Sequence, residues 1–139
     1  MTVLLDTNVV MDALQERQPF DAQAKEILLH AQSAEFTCYF TANTLTDIFY
    51  LYRKAHDLKS ARHVLKFLLA TYKIVSVTNE DCINAMSIPI EDFEDALVSV
   101  CAKKADADYI ISRDDKFLRE NSPVNVIEPK DFLEVFTAK

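Results

Sequence analysis

A three-layer α/β/α domain built on a mainly parallel sheet of about five strands is the fold class this sequence predicts. Three observations carry that prediction. Short apolar β runs alternate with amphipathic helical stretches from end to end, the pattern of strand, crossover helix and next parallel strand. No linker, repeat or low-complexity stretch interrupts the alternation, so residues 1–139 read as a single domain. Half of the composition is apolar, and a chain of this length buries roughly two-thirds of its unfolded surface in one core.

The elements follow in order. Val3 to Leu5 form an apolar run that ends at Asp6, and "TNVVMDALQER" then sets Val9, Val10, Ala13 and Leu14 on one helical stripe. A second helix is expected from about Pro19, a residue suited to a first turn, through Ala22, Ile27, Leu28 and Ala31. "FTCYFT" is the second strand; Asn43 or Thr44 is the expected cap of a helix carrying Leu45, Ile48, Phe49 and Tyr52. "LKSARHVLKFLLATY" supplies another helix, with Ala61, Leu65, Leu68 and Leu69 on its apolar side. "KIVSV" is the third strand, followed by a helix from about Glu80 to Met86 that Pro89 does not continue. The helix from about Asp92 to Lys104 turns Ala96, Leu97, Val100 and Cys101 inward, "DYIIS" and "VNVIE" are short strands, and "PKDFLEVF" closes with a helix starting at a proline.

Composition narrows the function classes. The net charge of −7 argues against gripping nucleic acid by overall electrostatics, because phosphate binding is driven by Lys and Arg. An RNA partner would need bound cations or a local basic patch, with Arg53, Lys54, Lys103, Lys104, Arg113 and Lys116 as candidates. No apolar run approaches the roughly 20 residues needed to span a bilayer, and "MTVLLDTNVV" lacks the regions of a signal peptide; a cytoplasmic protein without membrane contact is expected. Cys38, Cys82 and Cys101 are odd in number and form no C-x-x-C pattern, so reduced thiols are expected. His30, His56 and His63 share no ligand spacing. Glycine is absent, so left-handed turns are expected to fall on Asn or Asp.

The acids are placed unevenly. In an open parallel sheet, ligands bind beyond the carboxyl ends of the strands where the strand order reverses. Asp6 directly follows the first strand, Asp114 closely follows "DYIIS", Asp47 is early in its helix, and Asp92 and Asp95 lie three apart in one first turn. Singly, each is an ordinary turn former or N-cap. Together they would repel, by roughly 3 kcal/mol for a pair about 5 Å apart at an effective dielectric near 20. Such a rim is tolerable when some carboxyls keep their protons or when a cation sits among them. Carboxylate and water are the ligands that suit magnesium or manganese, and that chemistry serves phosphodiester hydrolysis.

"VLLDTNVVMD", "TANTLTDIFYLYRK", "DFEDALVSVCAKKADADYIISRDDKF" and the closing "PKDFL" closely resemble PIN-domain ribonucleases, especially the branch of VapC-type toxins from toxin–antitoxin pairs. The resemblance runs from Val3 to about Leu133 with the blocks in family order. It implies a PIN-like sandwich whose acidic pocket binds magnesium or manganese and hydrolyses RNA, with a protein antitoxin and a homodimer as expected partners. It places the four catalytic acids on Asp6, Asp47, Asp95 and Asp114, with Asp6, Asp95 and Asp114 as metal ligands. Thr7, Asn8, Asp92 and Ser112 fall on orienting positions, and Arg113 stands where a fork beside the pocket would contact a substrate phosphate. The chain departs from the family pattern in three places: Asp47 stands for the commoner glutamate, Ser112 for threonine, and Asp106 for a glycine after the helix. Asp12 is expected to pair with Arg17 or face water, and Asp115 to be a loop residue. The competing reading is a receiver-like or catalytically weak α/β binding module with an acidic metal pocket. A receiver would want paired acids after the first strand, an Asp ending the third and a Lys ending the fifth, whereas "LLDTN" has one acid, "KIVSVTN" ends without Asp, and Lys130 follows a proline.

Overall fold

The computed structural model describes residues 1–138. The strands are β1 (Thr2–Leu5), β2 (Thr37–Thr41), β3 (Lys73–Val75), β4 (Tyr109–Ile111) and β5 (Val126–Ile127). The helices are α1 (Thr7–Leu14), α2 (Asp21–Gln32), α3 (Ala42–Ala55), α4 (Leu58–Thr71), α5 (Asn79–Ala85), α6 (Phe93–Lys104), α7 (Asp115–Arg119) and α8 (Pro129–Thr137). All strand pairs are parallel, in the order β3-β2-β1-β4-β5. The fold is thus the three-layer sandwich the alternation predicts.

Strand pleating distributes the core over both faces of the sheet. Val3, Leu5, Phe40 and Ile111 face one layer with Val9, Ile27, Ile48, Leu68 and Phe132 from the helices. Leu4 and Ile110 face the other with Leu97, Cys101 and Phe117. Cys38 and Cys101 are buried free thiols and Cys82 is half-buried; burial pushes the Cys101 thiol up to about 11. Among the described residues no helix is long and apolar enough to cross a membrane.

Several expectations are corrected. Helix α2 begins at Asp21; Pro19 precedes it in a cis Gln18–Pro19 peptide, so the proline sets the approach to the helix rather than its first turn. Thr41, not Asn43 or Thr44, caps α3, accepting from Thr44 N at 3.2 Å. Asn43 lies inside that helix, and its side-chain oxygen is buried without a hydrogen-bond partner among the described residues. Leu69 is 54% exposed, and Val100 is half-buried. Asp115 belongs to the short helix α7, which the sequence did not announce because five residues hold too little periodicity to read.

The left-handed positions are Glu16, Ala34 and Asp106, so glutamate and alanine join aspartate in this role. All three follow helix C-caps. Backbone bonds Arg17 N to Asp12 O (3.0 Å), Glu35 N to His30 O (3.1 Å) and Ala107 N to Ala102 O (2.9 Å) close each terminus in the six-to-one pattern of a Schellman motif. The carbonyls satisfied there offset the Cβ strain that glycine would have avoided.

Candidate active site

Strand order reverses between β1 and β4, and the register sets Leu5 opposite Ile111. The next residues, Asp6 and Ser112, therefore emerge side by side at the switch point. Asp6 N donates to Ile111 O at 3.0 Å, tying the first turn to the neighbouring strand. Three of the acids are aimed by a backbone donor at a helix start. Asp6 caps α1, Asp92 caps α6 and Asp114 caps α7. The N-cap reading of these residues is therefore correct, and it is also what points their carboxyls toward one cleft.

Asp6 is the most constrained. It is 8% exposed; its Oδ1 accepts from Thr7 N at 2.9 Å, and its Oδ2 accepts from Ser112 Oγ at 2.8 Å and Asn8 Nδ2 at 3.4 Å. Ser112 Oγ also accepts from Asn8 Nδ2 at 3.3 Å and Asp114 N at 3.2 Å, so one hydroxyl joins three of the expected residues. Asn8 Oδ1 accepts from Arg113 N at 3.1 Å. Thr7 Oγ1 lies 3.5 Å from Asp47 Oδ2 and 3.4 Å from Thr44 Oγ1, linking α1 to α3. Asp92 Oδ1 accepts from Asp95 N at 3.0 Å.

An open cleft of about 320 Å³ is lined by the acids Asp6, Asp92, Glu94, Asp95 and Asp114 together with Thr7, Asn8, Met11, Arg17 and Leu51. Asp47 adjoins it through Glu94, to which it is hydrogen-bonded. That bond between two carboxyls requires a proton, and with burial and the charges of Asp47, Asp6 and Asp92 it pushes Glu94 up to about 8. Burial, then the charges of Asp92, Asp6 and Asp114, push Asp95 up to about 7. Burial raises Asp6 as well, against the lowering by its Ser112 and Thr7 hydrogen bonds, with Asp114 and Asp47 adding to the rise. Negative charge is in excess here, and each of these three carboxyls is held above its ordinary range.

Glu94 is the residue that sequence reasoning missed. The signal was present: within "DFED", position 94 shares the first helical turn with Asp92 and Asp95. Arg113 is the candidate the structure does not bring into the cleft. Its guanidinium donates to Asp12 Oδ2 at 2.7 Å and Oδ1 at 3.0 Å and lies 3.8 Å over the Phe20 ring. Asp12, 1% exposed, is thus held chiefly by Arg113, with Arg17 more distant at 3.8 Å.

The donor set fits a hard divalent cation: it is all carboxylate, hydroxyl and amide oxygen, and it carries an unneutralised excess of charge. Among the described residues no three His, Cys, Asp or Glu side chains form a ready-made cage.

A family model described as "PIN domain" matches residues 2–116. No curated protein matches the sequence. Among solved structures, a toxin–antitoxin complex from Klebsiella pneumoniae superposes with a TM-score of 0.69 at 20% identity, covering 91% of this chain and 97% of that one. DNA-bound VapBC from Salmonella typhimurium gives 0.70 at 12% identity, covering 93% and 98%. VapC20 of Mycobacterium tuberculosis, described as a sarcin-ricin loop cleaving toxin, gives 0.69 at 13% identity, covering 86% and 95%. At these identities the superpositions speak for the fold.

Proposed function

The chain belongs to the PIN-domain family, and we propose that it is a magnesium- or manganese-dependent endoribonuclease acting as the toxin of a toxin–antitoxin pair. One observation carries the reading: acids from four separated stretches, with Asp6, Asp47, Glu94, Asp95 and Asp114 among them, converge at the sheet's switch point, where the one lining cation among the described residues, Arg17, is engaged with Asp12 and Gln15. Asp6, Asp95 and Asp114 would hold the divalent ion, and Asp47, Asp92 and Glu94 would adjust the charge around it. When bound, the ion supplies positive charge for the scissile phosphodiester and acidifies the attacking water.

The chain's own residues do the rest. Ser112 and Asn8 fix the Asp6 carboxylate by donating to one oxygen, so its other lone pairs keep a set direction. Thr7 braces Asp47 across the α1–α3 contact. Arg113 stays the substrate-phosphate candidate only for a strand that passes over Phe20, since Asp12 holds its fork.

The toxin assignment draws on the fold shared with complexes described as toxin–antitoxin and VapBC. A protein antitoxin and a homodimer are the partners it proposes, and the cytoplasm is the compartment. RNA cleavage mapping with purified protein tests the reading. Cleavage with magnesium or manganese that stops on chelation is the expected result; no cleavage of single-stranded or structured RNA with either metal refutes it.

A further inference from the structure

The positive charge of this acidic chain is segregated. Residues 48–79 hold six Lys and Arg against a single acid, Asp57, so the rest of a chain with net charge −7 carries −12. Asp57 is occupied as a cap, its Oδ1 accepting from Ser60 N at 2.7 Å. On α4, Lys59, Arg62, His63 and Lys66 stand at i, i+3, i+4 and i+7, a single stripe along one face. With Tyr52 they line an open groove of about 520 Å³ between α3 and α4.

These cations are free where others are not. Among the described residues Lys59, Arg62 and Lys66 enter no ion pair, whereas Lys104, Arg113 and Lys116 each have a carboxylate partner. Of the six basic candidates read from the sequence, Lys104, Arg113 and Lys116 are taken up in ion pairs, whereas Arg53 and Lys54 belong to the same basic segment as the stripe. One aromatic ring lines the groove itself: Tyr52, half-buried and stacked on His56 at 4.3 Å. Helix α3 connects the groove to the acidic cleft, since Leu51 lines the cleft and Tyr52 lines the groove. Asp47 precedes Tyr52 by about 8 Å along the helix axis.

We propose that the α4 stripe Lys59–Arg62–His63–Lys66 is the docking track for the phosphate backbone of single-stranded RNA, leading the strand along α3 to the acidic cleft. The proposal rests on the ribonuclease reading for what happens to the strand once delivered. A polyanion is repelled by the rest of this surface and attracted here, and a row of unpaired cations tracks a phosphate backbone without sequence preference. An acidic peptide would use the charges but gain nothing from the continuity of the groove with the cleft along α3, so RNA is the better occupant.

The test is binding of a short single-stranded RNA to the full chain in chelator, so that nothing is cut, followed by fluorescence anisotropy over a salt series. The stripe variant Lys59→Gln/Arg62→Gln/Lys66→Gln is compared with Lys103→Gln/Arg119→Gln/Lys130→Gln. Loss of three phosphate contacts lowers the slope of log K against log salt by roughly 2 and weakens binding about a hundredfold near 0.1 M salt, while the control keeps wild-type behaviour. An unchanged slope in the stripe variant overturns the proposal, and so does an equal loss in the control. Loss of binding to a polyglutamate peptide, with RNA binding intact, overturns it in favour of an acidic protein partner. Lys59→Arg/Lys66→Arg must retain binding, which separates charge from folding. Stripe-dependent RNA binding without metal-dependent cleavage would leave the track standing and remove the nuclease; cleavage with stripe-independent binding would do the reverse.

Discussion

Asp6 caps helix α1 and Asp12 lies within it; both are buried, yet their surroundings are opposite. Asp12 faces a guanidinium that meets both of its oxygens, backed by a second, more distant arginine. Asp6 faces a hydroxyl, an amide and a backbone N–H, with Asp47, Asp95 and Asp114 near enough to perturb it or be perturbed by it. Asp81 repeats the first arrangement: burial alone would raise its carboxyl, but Lys104 and two Thr78 hydrogen bonds hold it below the usual carboxylate range. The difference separates two uses of a buried acid. Where the fold needs a carboxylate it provides a cation; around Asp6 it provides only dipoles, and the charge is left for something else to neutralise.

The largest expected effect breaks that comparison on the cleft side. Asp95→Asn removes one negative charge from a repelling group and adds no bulk. RNA cleavage should fall by about 100-fold to 1,000-fold or more, the scale of losing one electrostatic group at a reacting centre. The metal-free protein should melt at the same or a higher temperature, because repulsion falls with the charge. Cleavage rates and melting curves on the same preparation check both halves, and full activity in the variant removes Asp95 from the site.

On the other side of α1, Asp12→Ala should leave the cleft's carboxyls in place and cost about 3 kcal/mol of stability, the lower end for breaking a buried pair. The lower end applies because the Arg113 side chain is 30% exposed and keeps some water. Urea denaturation reads the cost. A loss below about 1 kcal/mol would mean that Asp12 behaves as a surface acid.

Acidity sharpens the contrast. In the metal-free cleft, Asp95 and Glu94 are pushed up to about 7 and about 8, against unfolded carboxyls near 4. Between those limits the folded chain binds more protons than the unfolded one, so this contribution to stability falls as pH rises through about 4 to 8 and stays low above that. Saturating magnesium should flatten the dependence by taking the protons' place. Melting temperatures across pH with chelator and with magnesium test the sign. Metal binding should weaken as pH falls through the same range, since protons and cation compete for the same oxygens.

Much of this arrangement was legible in the chain. Alternating β runs and helical stripes specify the layers, and four acids at strand ends and first turns specify the rim, because both depend on local periodicity and on caps that sit next to what they cap. What was not legible depends on partners far apart in sequence. Nothing local to Asp12 says that Arg113, not only Arg17, will reach it, nor that the stripe on α4 keeps its cations free while Lys104 is taken by Asp81. Glu94 was hidden differently: its neighbours in "DFED" had already explained the first turn, and only its hydrogen bond with Asp47 from α3 distinguishes it. Ala34 was unreadable because alanine carries no signal for the left-handed conformation, which the closure of α2 imposes.

The smallest expected effect asks whether one cation suffices to make a buried acid structural. Lys104→Met keeps the aliphatic stem over the α5–α6 contact and removes only the ammonium that meets Asp81 Oδ2 and Ser76 O. Because the Lys104 side chain is 38% exposed, the loss should be about 1 kcal/mol near neutrality. Asp81 retains its capping box with Thr78, which limits the damage. Its depressed carboxyl contributes stability above the unfolded value near 4, and that contribution disappears as pH falls through the lower folded value. Wild type and variant should therefore converge in acid. Convergence at pH 3 with a gap at pH 7 would place Asp81 with Asp12, whereas a variant more stable than wild type at pH 7 would show that burial, not the ammonium, governs this carboxyl.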